Sequence, residues 1–170
     1  MAYTSDGVLQ DEKTISEFNW DRDSLIKFGT QLVETGKAKK LPVAVAIFLD
    51  DVKIFQRFLE GTSKTNELWV QRKIDTVRSI GHSTLYLRAV LEELGAYQKL
   101  EIQNHLGEIA IAGGGVPIFK EGKIFAVVII SGLPHEDDHR MIMDGFKDFC
   151  SKISAVAPTE VLKFLKIFIK

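Results

Sequence analysis

The sequence predicts an antiparallel β-sheet sandwiched between helices. Paired β-rich runs occur twice, around Asp50-Asp51 and around Glu121-Gly122, as hairpins do. Helical periodicity precedes, separates and follows them. The run Val43 to Leu49 (VAVAIFL) is apolar without alternation, so both faces of its strand need cover and a helical layer is required on each side.

Residues 1–13 are polar and read as a loosely ordered N-terminus. Thr14 to Asn19 alternates as a short edge strand would. Short polar side chains between Asn19 and Asp23 can cap a helix whose inner face is Leu25, Phe28, Leu32 and Val33, with Gly36 as its stop. After Pro42 come the two strands of the first hairpin; in the second, Ile54, Gln56 and Phe58 point one way and Phe55, Arg57 and Leu59 the other. A polar loop, Gly61 to Asn66, leads to a helix from about Glu67 to Ile80 with Val70, Ile74 and Val77 inward. Gly81 breaks it. Ser83 caps the next helix, with Leu87, Val90, Leu91 and Leu94 inward and Gly95 at its end. Tyr97 to Leu106 follows neither period, and an extra strand is read near Ile109. The second hairpin, Val116 to Lys120 and Ile124 to Ser131, contains AVVII, the most apolar strand, which belongs in the centre of the sheet. A last helix runs from Pro134 to about Ile153, proline suiting a first turn where no donor is needed.

The chain has 170 residues and no repeat or linker, so residues 14–157 form one domain and 158–170 an apolar C-terminal extension. That extension, Val161 to Ile169 (VLKFLKIFI), must cover the core or dock on another subunit. Lys plus Arg is 22 and Asp plus Glu 23, a net charge of −1 that supplies no global field for nucleic acid. A single cysteine, Cys150, excludes an internal disulfide and a thiolate metal cage; with Phe146 and Phe149 beside it and no base, it reads as packing. No signal pattern opens the sequence and no apolar run reaches the ~18 residues of a membrane span, so a cytoplasmic protein is expected.

Three groups of residues could carry chemistry. His135-Glu136-Asp137-Asp138-His139 is a literal H-E-x-x-H, which with Glu160 as a third ligand would describe a metal-dependent hydrolase. The string opens a helix, however, where carboxylates are favoured by the helix dipole alone, and a capped helix start is the simpler reading. Trp69, Arg72 and Lys73 lie on the helix face away from Val70, Ile74 and Val77, with Thr76 extending it, and offer an indole and two cations to an anionic or planar ligand or to a neighbouring subunit. His82 sits at the break between two helices, where a hydrogen-bonded structural role competes with a ligand-facing one. Gly113-Gly114-Gly115 precedes a strand rather than a helix, which argues for a tight bend or close backbone approach and against a phosphate loop.

Trp69-Val-Gln-Arg72-Lys73 with Gly81-His82-Ser83, Gly113-Gly114-x-x-Pro117-Ile118, and Ser131-Gly132-Leu133-x-x-x-Asp137-Asp138-His139 together resemble the HbpS/GlcG-like haem-degrading-domain family, most closely its uncharacterised-protein branch of bacteria and fungi. The resemblance spans about Phe18 to Phe149. It implies a profilin-like three-layer α/β/α sandwich around a central antiparallel sheet, a homo-oligomer built from dimers, and an association with haem. It points to Trp69, Arg72, Lys73, His82, Gly113, Gly114, Asp137, Asp138 and His139 as the site. The chain departs from that pattern at Ala112, where the branch carries a histidine.

Three functions follow as expectations. The first is a small-molecule-binding protein in which Arg72 and Lys73 neutralise an anion such as haem, Trp69 stacks, and His82 and His139 donate hydrogen bonds. The second is a non-enzymatic assembly or adaptor protein in which Trp69 anchors an interface and Arg72 pairs with Asp137 or Asp138 across it. The third is the hydrolase of His135 and His139.

Overall fold

A computed structural model describes residues 3–104 and 107–168, with side chains as far as residue 155. Four antiparallel strands form one sheet: β1 (Ala44–Leu49), β2 (Val52–Phe58), β3 (Gly115–Lys120) and β4 (Lys123–Ser131), in the order β2-β1-β4-β3. Both hairpins form where the turn residues predict, and β4 takes its central place. Every residue of β1 is buried, as a strand covered on both faces must be.

The helices make the two outer layers. On one face, α2 (Arg22–Ala38) and α6 (His135–Phe168) pack on Val45, Ile47, Val128 and Ile130. On the other, Val70, Ile74 and Val77 of α3 (Lys64–Ile80) pack on Ala44, Ala46, Val127 and Ile129. Burying the alternate faces of one sheet under two helical layers contributes roughly 1.5–3 kcal/mol for each fully covered large aliphatic side chain. The local signals are the expected ones at α2, where Asp21 and Ser24 form a reciprocal capping box, and at α3, where Gly81 ends the helix in the left-handed region at φ +73°.

Several expectations need correction. Residues 5–13 are not loose, nor is Thr14 in a strand: α1 (Ser5–Ser16) is a helix capped by Thr4, with Val8, Glu12 and Ile15 buried along one side. Its apolar stripe is broken by a carboxylate, which hides the period. Gly36 lies inside α2 and is buried, its missing side chain making room for Leu59. A bulge beside Ile47 and Phe48 puts Ile54 with Phe55 and Leu59 against the α2–α6 core, so the strict alternation fails there. In α4 (Thr84–Glu93) the buried residues are Thr84, Leu85 and Ala89, whereas Leu94 is 73% exposed. Tyr97–Gln103 is a short helix, α5, with no buried residue, and Ile109 lies outside any strand. Helix α6 continues through Pro158 to Phe168; what the apolar side chains beyond residue 155 cover lies outside the described residues. Among the described residues no helix is long and apolar enough to cross a membrane.

Candidate functional site

Where α3, α5 and the start of α6 meet the end of β4, a cleft of about 490 Å³ opens. One wall is a stripe of α3, with Asn66, Trp69 and Lys73 spaced one turn apart. Facing it are Pro134 and His135 from the α6 entry, and Arg88, Tyr97 and Glu101 from α4 and α5.

Lys73 and Asp138 form the floor. Their side chains are each 3% exposed, and Lys73 Nζ donates to Asp138 Oδ2 at 2.8 Å and to the Ile130 carbonyl at 2.7 Å. Asp138 also accepts from the Leu133 N–H at 2.9 Å. One ion pair thereby joins α3, the end of β4 and the first turn of α6. Burial pushes the Lys73 ammonium below the ordinary lysine range and the Asp138 carboxyl above the ordinary aspartate range, and their mutual attraction opposes both shifts. Lys73, expected on the face of α3 that points away from the core, is buried instead. Thr76 is likewise buried, its hydroxyl accepting from the Ala110 N–H at 2.9 Å.

The glycines explain how that floor can be so compact. A Cβ on Gly114, whose φ is +101°, would strike the Ile130 carbonyl oxygen and lie 2.6 Å from Asp138 Cβ and 2.9 Å from Lys73 Nζ. A Cβ on Gly113 would strike the His135 carbonyl oxygen. These positions admit backbone, as the strand that follows them suggested.

The two motif histidines turn elsewhere, to α1. His82 Nδ1 is 2.9 Å from Glu12 Oε2, while Glu12 Oε1 accepts from the Ser83 N–H at 2.7 Å. His139 is fully buried, with Nε2 at 3.1 Å from Asp11 Oδ2 and the ring edge-on to Tyr3. Consecutive carboxylates of one helix thus engage two imidazoles 57 positions apart in the chain. Asp137 pairs with Arg140 at 2.8 Å on the exposed side of α6. Within the chain Asp137 pairs with Arg140 and Asp138 with Lys73. Arg72 instead lies over the Trp69 ring at 5.2 Å and against the backbone at Gly107.

So the structure brings Trp69, Lys73 and Asp138 to the cleft, stacks Arg72 on Trp69, packs Gly113 and Gly114 beneath the floor, turns His82 and the buried His139 to α1, and leaves Asp137 on the exposed side of α6. The histidine at the cleft is His135, held below the usual histidine range by burial first and by the Arg88 guanidinium second. Because His139 faces Asp11, it and His135 do not converge, and no group of three or more His, Cys, Asp or Glu residues among the described ones could hold a metal. Arg88, Tyr97 and Glu101 escaped the sequence reading. Arg88 lies over the Tyr97 ring at 4.5 Å, and the Tyr97 hydroxyl donates to Glu101 at 2.8 Å; Glu101 is four residues beyond Tyr97, a helical spacing that the short α5 leaves without an apolar stripe to announce it. Cys150 is half-buried beside the aromatic core, and burial raises its thiol, consistent with packing.

A single antiparallel sheet between helical layers, with a cleft at one end of the central strand, defines a three-layer α+β domain. A family model described as haem-degrading protein HbpS-like matches residues 21–147, and the chain belongs to that family. A UPF0303 protein of Psychromonas ingrahamii is 25% identical over 152 residues, 89% of this chain and 96% of its own. A UPF0303 protein of Mesorhizobium japonicum is 32% identical over 132 residues, 76% of this chain and 78% of its own. Among solved structures, the Ybr137w protein superimposes with a TM-score of 0.74 at 26% identity, covering 86% of this chain and 89% of that one. The PduOC–heme complex does so with a TM-score of 0.61 at 19% identity over 76% and 94%, a likeness of fold alone.

Proposed function

We propose that this chain is a small-molecule-binding protein acting as a homo-oligomer, and that its ligand is a planar anion held in the Trp69–Arg88–His135 cleft. The observation that carries the reading is the cleft itself. Its volume lies within the roughly 300–1,000 Å³ of small-molecule sites. It pairs one flat aromatic wall with one guanidinium and one imidazole, over a floor whose charges are already matched, and its wall carboxylate, Glu101, accepts from the Tyr97 hydroxyl. Arg88 spends Nε on Glu92 and one Nη on the Tyr97 hydroxyl, which leaves the fork's other arm for an anionic group. Haem is the first ligand to test, since a relative in fold is described bound to it. The residues present suit it: His135 offers a ring nitrogen, Trp69 a face for the macrocycle, and Arg88 a partner for a propionate. Haem when bound would supply the iron chemistry; the chain's part is to orient it and exclude water. The Leu94 and Ile102 side chains, 73% and 77% exposed at the end of α4 and in α5, support self-association through these two helices.

Titration with haem, followed at the Soret band, tests the reading. A saturable shift weakened by Trp69→Ala and His135→Ala, and left intact by His82→Ala, supports it. No saturable shift, or one indifferent to both cleft variants, overturns it. Light scattering of Leu94→Glu and Ile102→Glu tests the oligomer, and an unchanged mass would remove that surface from it.

A further inference from the structure

The two edges of the sheet are finished differently. On β3, the Gly115 N–H donates to Thr84 Oγ1 at 3.1 Å and the Phe119 N–H to Ser16 Oγ at 2.9 Å, and Pro117 between them has no N–H. That edge is closed. On β2, the Leu59 N–H donates to the Val43 carbonyl at 3.0 Å, which sets Arg57 and Leu59 toward β1 and turns the main-chain groups of Gln56 and Phe58 away from the sheet, where no strand pairs with them.

The open edge borders a groove of about 730 Å³ between the end of α2 and the end of β2. Leu41, Pro42 and Leu59 give it an apolar lining, and Lys40 and Arg57 stand on it with no ion-pair partner among the described residues. Lys37 is already paired with Glu34, and Glu60 is the groove's one carboxylate. Strand alternation separates the two kinds of contact. Arg57, opposite Val45, projects on the α2 side with the groove; Phe58 also lines the groove, but its side chain, opposite Ala44, leaves the strand on the other face and is 41% exposed.

We propose that β2 is a docking edge for an extended acidic peptide segment, which adds to the sheet as a fifth strand. Its main chain would meet Gln56 and Phe58, its carboxylates would face Arg57 and Lys40, and its apolar residues, at alternate positions, would lie beside Phe58. The charge balance selects this occupant over β2 of a second copy: Val52–Phe58 carries Lys53 and Arg57 and no carboxylate, so self-pairing sets like charges on one short edge.

The test is fluorescence anisotropy with a labelled hexapeptide alternating valine and glutamate, added to the full chain. Saturable binding is expected, weakened about tenfold or more by Arg57→Glu, reduced by salt, and lost when the peptide amides on its β2-facing side are N-methylated. Lys147→Glu, an exposed change on α6, should leave binding intact, and thermal midpoints within a few degrees of the parent keep the comparison among folded proteins. Absence of saturation, equal affinity for the Arg57→Glu protein, or indifference to N-methylation overturns the proposal. So does a fall in mass by light scattering for Phe58→Glu, which would show that a second copy covers the edge.

Discussion

Asp138→Ala should be among the most damaging single substitutions in the cleft, and its cost should shrink as the pH rises. Removing the carboxylate leaves the Lys73 ammonium 3% exposed, with the Ile130 carbonyl as its remaining partner, and strands the Leu133 N–H. Breaking one side of a buried ion pair costs about 3–5 kcal/mol, a large part of the roughly 5–15 kcal/mol that holds a domain together. Lys73 has one escape, to give up its proton. From an ordinary lysine value of 10.5 that costs 3.5 pH units at pH 7, about 4.8 kcal/mol at 1.36 kcal/mol each, and this bounds the charge penalty. If the variant folds around a neutral Lys73, moving from pH 7 to pH 9 should recover about 2.7 kcal/mol of its deficit relative to the parent. The sign follows from linkage: the unfolded chain keeps the proton that the folded variant lacks, so stability climbs with pH below 10.5. Urea unfolding at both pH values measures it. Lys73→Met with Asp138→Leu, which removes both charges, should recover most of the loss. A deficit below about 1 kcal/mol for Asp138→Ala, or one independent of pH, would refute the assignment of this pair as the buried joint of α3 and α6.

Glu12→Ala should loosen α1 without unfolding the domain, because it strands the buried Ser83 N–H and His82 Nδ1 while Val8 and Ile15 stay buried; the expected loss is about 1–3 kcal/mol. Hydrogen exchange across Ser5–Ser16 should accelerate, and protection equal to that of the parent would contradict this role of Glu12. For His135, a proton NMR titration should find a midpoint below 6.5, since burial first and Arg88 second disfavour the charged ring. Its lowered value means that the neutral ring supports the fold above pH 6.5 and that this contribution is lost as pH falls through the midpoint. Arg88→Ala should move the midpoint upward, and a downward move would show that the guanidinium does not face the ring.

Much of the architecture was legible because it is written in neighbouring residues. The VAVAIFL run, the Asp50-Asp51 and Glu121-Gly122 turns, and the Ser83 and Gly81 caps act within a few positions of themselves, and each appears where its local chemistry places it. The failures share a cause. Helix α1 was missed because its buried stripe includes Glu12, acceptable inside only because His82 and Ser83 lie 70 and 71 positions away to receive it. The burial of Lys73 leaves no local sign, because a lysine on a helix is solvated unless an acid reaches it, and Asp138 does so from 65 positions further along. Short α5 has no buried face for a pattern to reveal.

The membership of the sandwich, its hairpins and the centrality of β4 were thus determined by hydrophobic period and turn chemistry, which need only a few consecutive residues. Which polar groups meet was decided by tertiary structure alone. An indole, a guanidinium and the His135 ring converge on one cleft, whereas His82 and His139, equally prominent in the chain, serve to hold α1. The physical reason is that a charged or polar side chain carries no record of its depth: burial and partnership depend on long-range pairs, and the same residue types would have been equally at home in water.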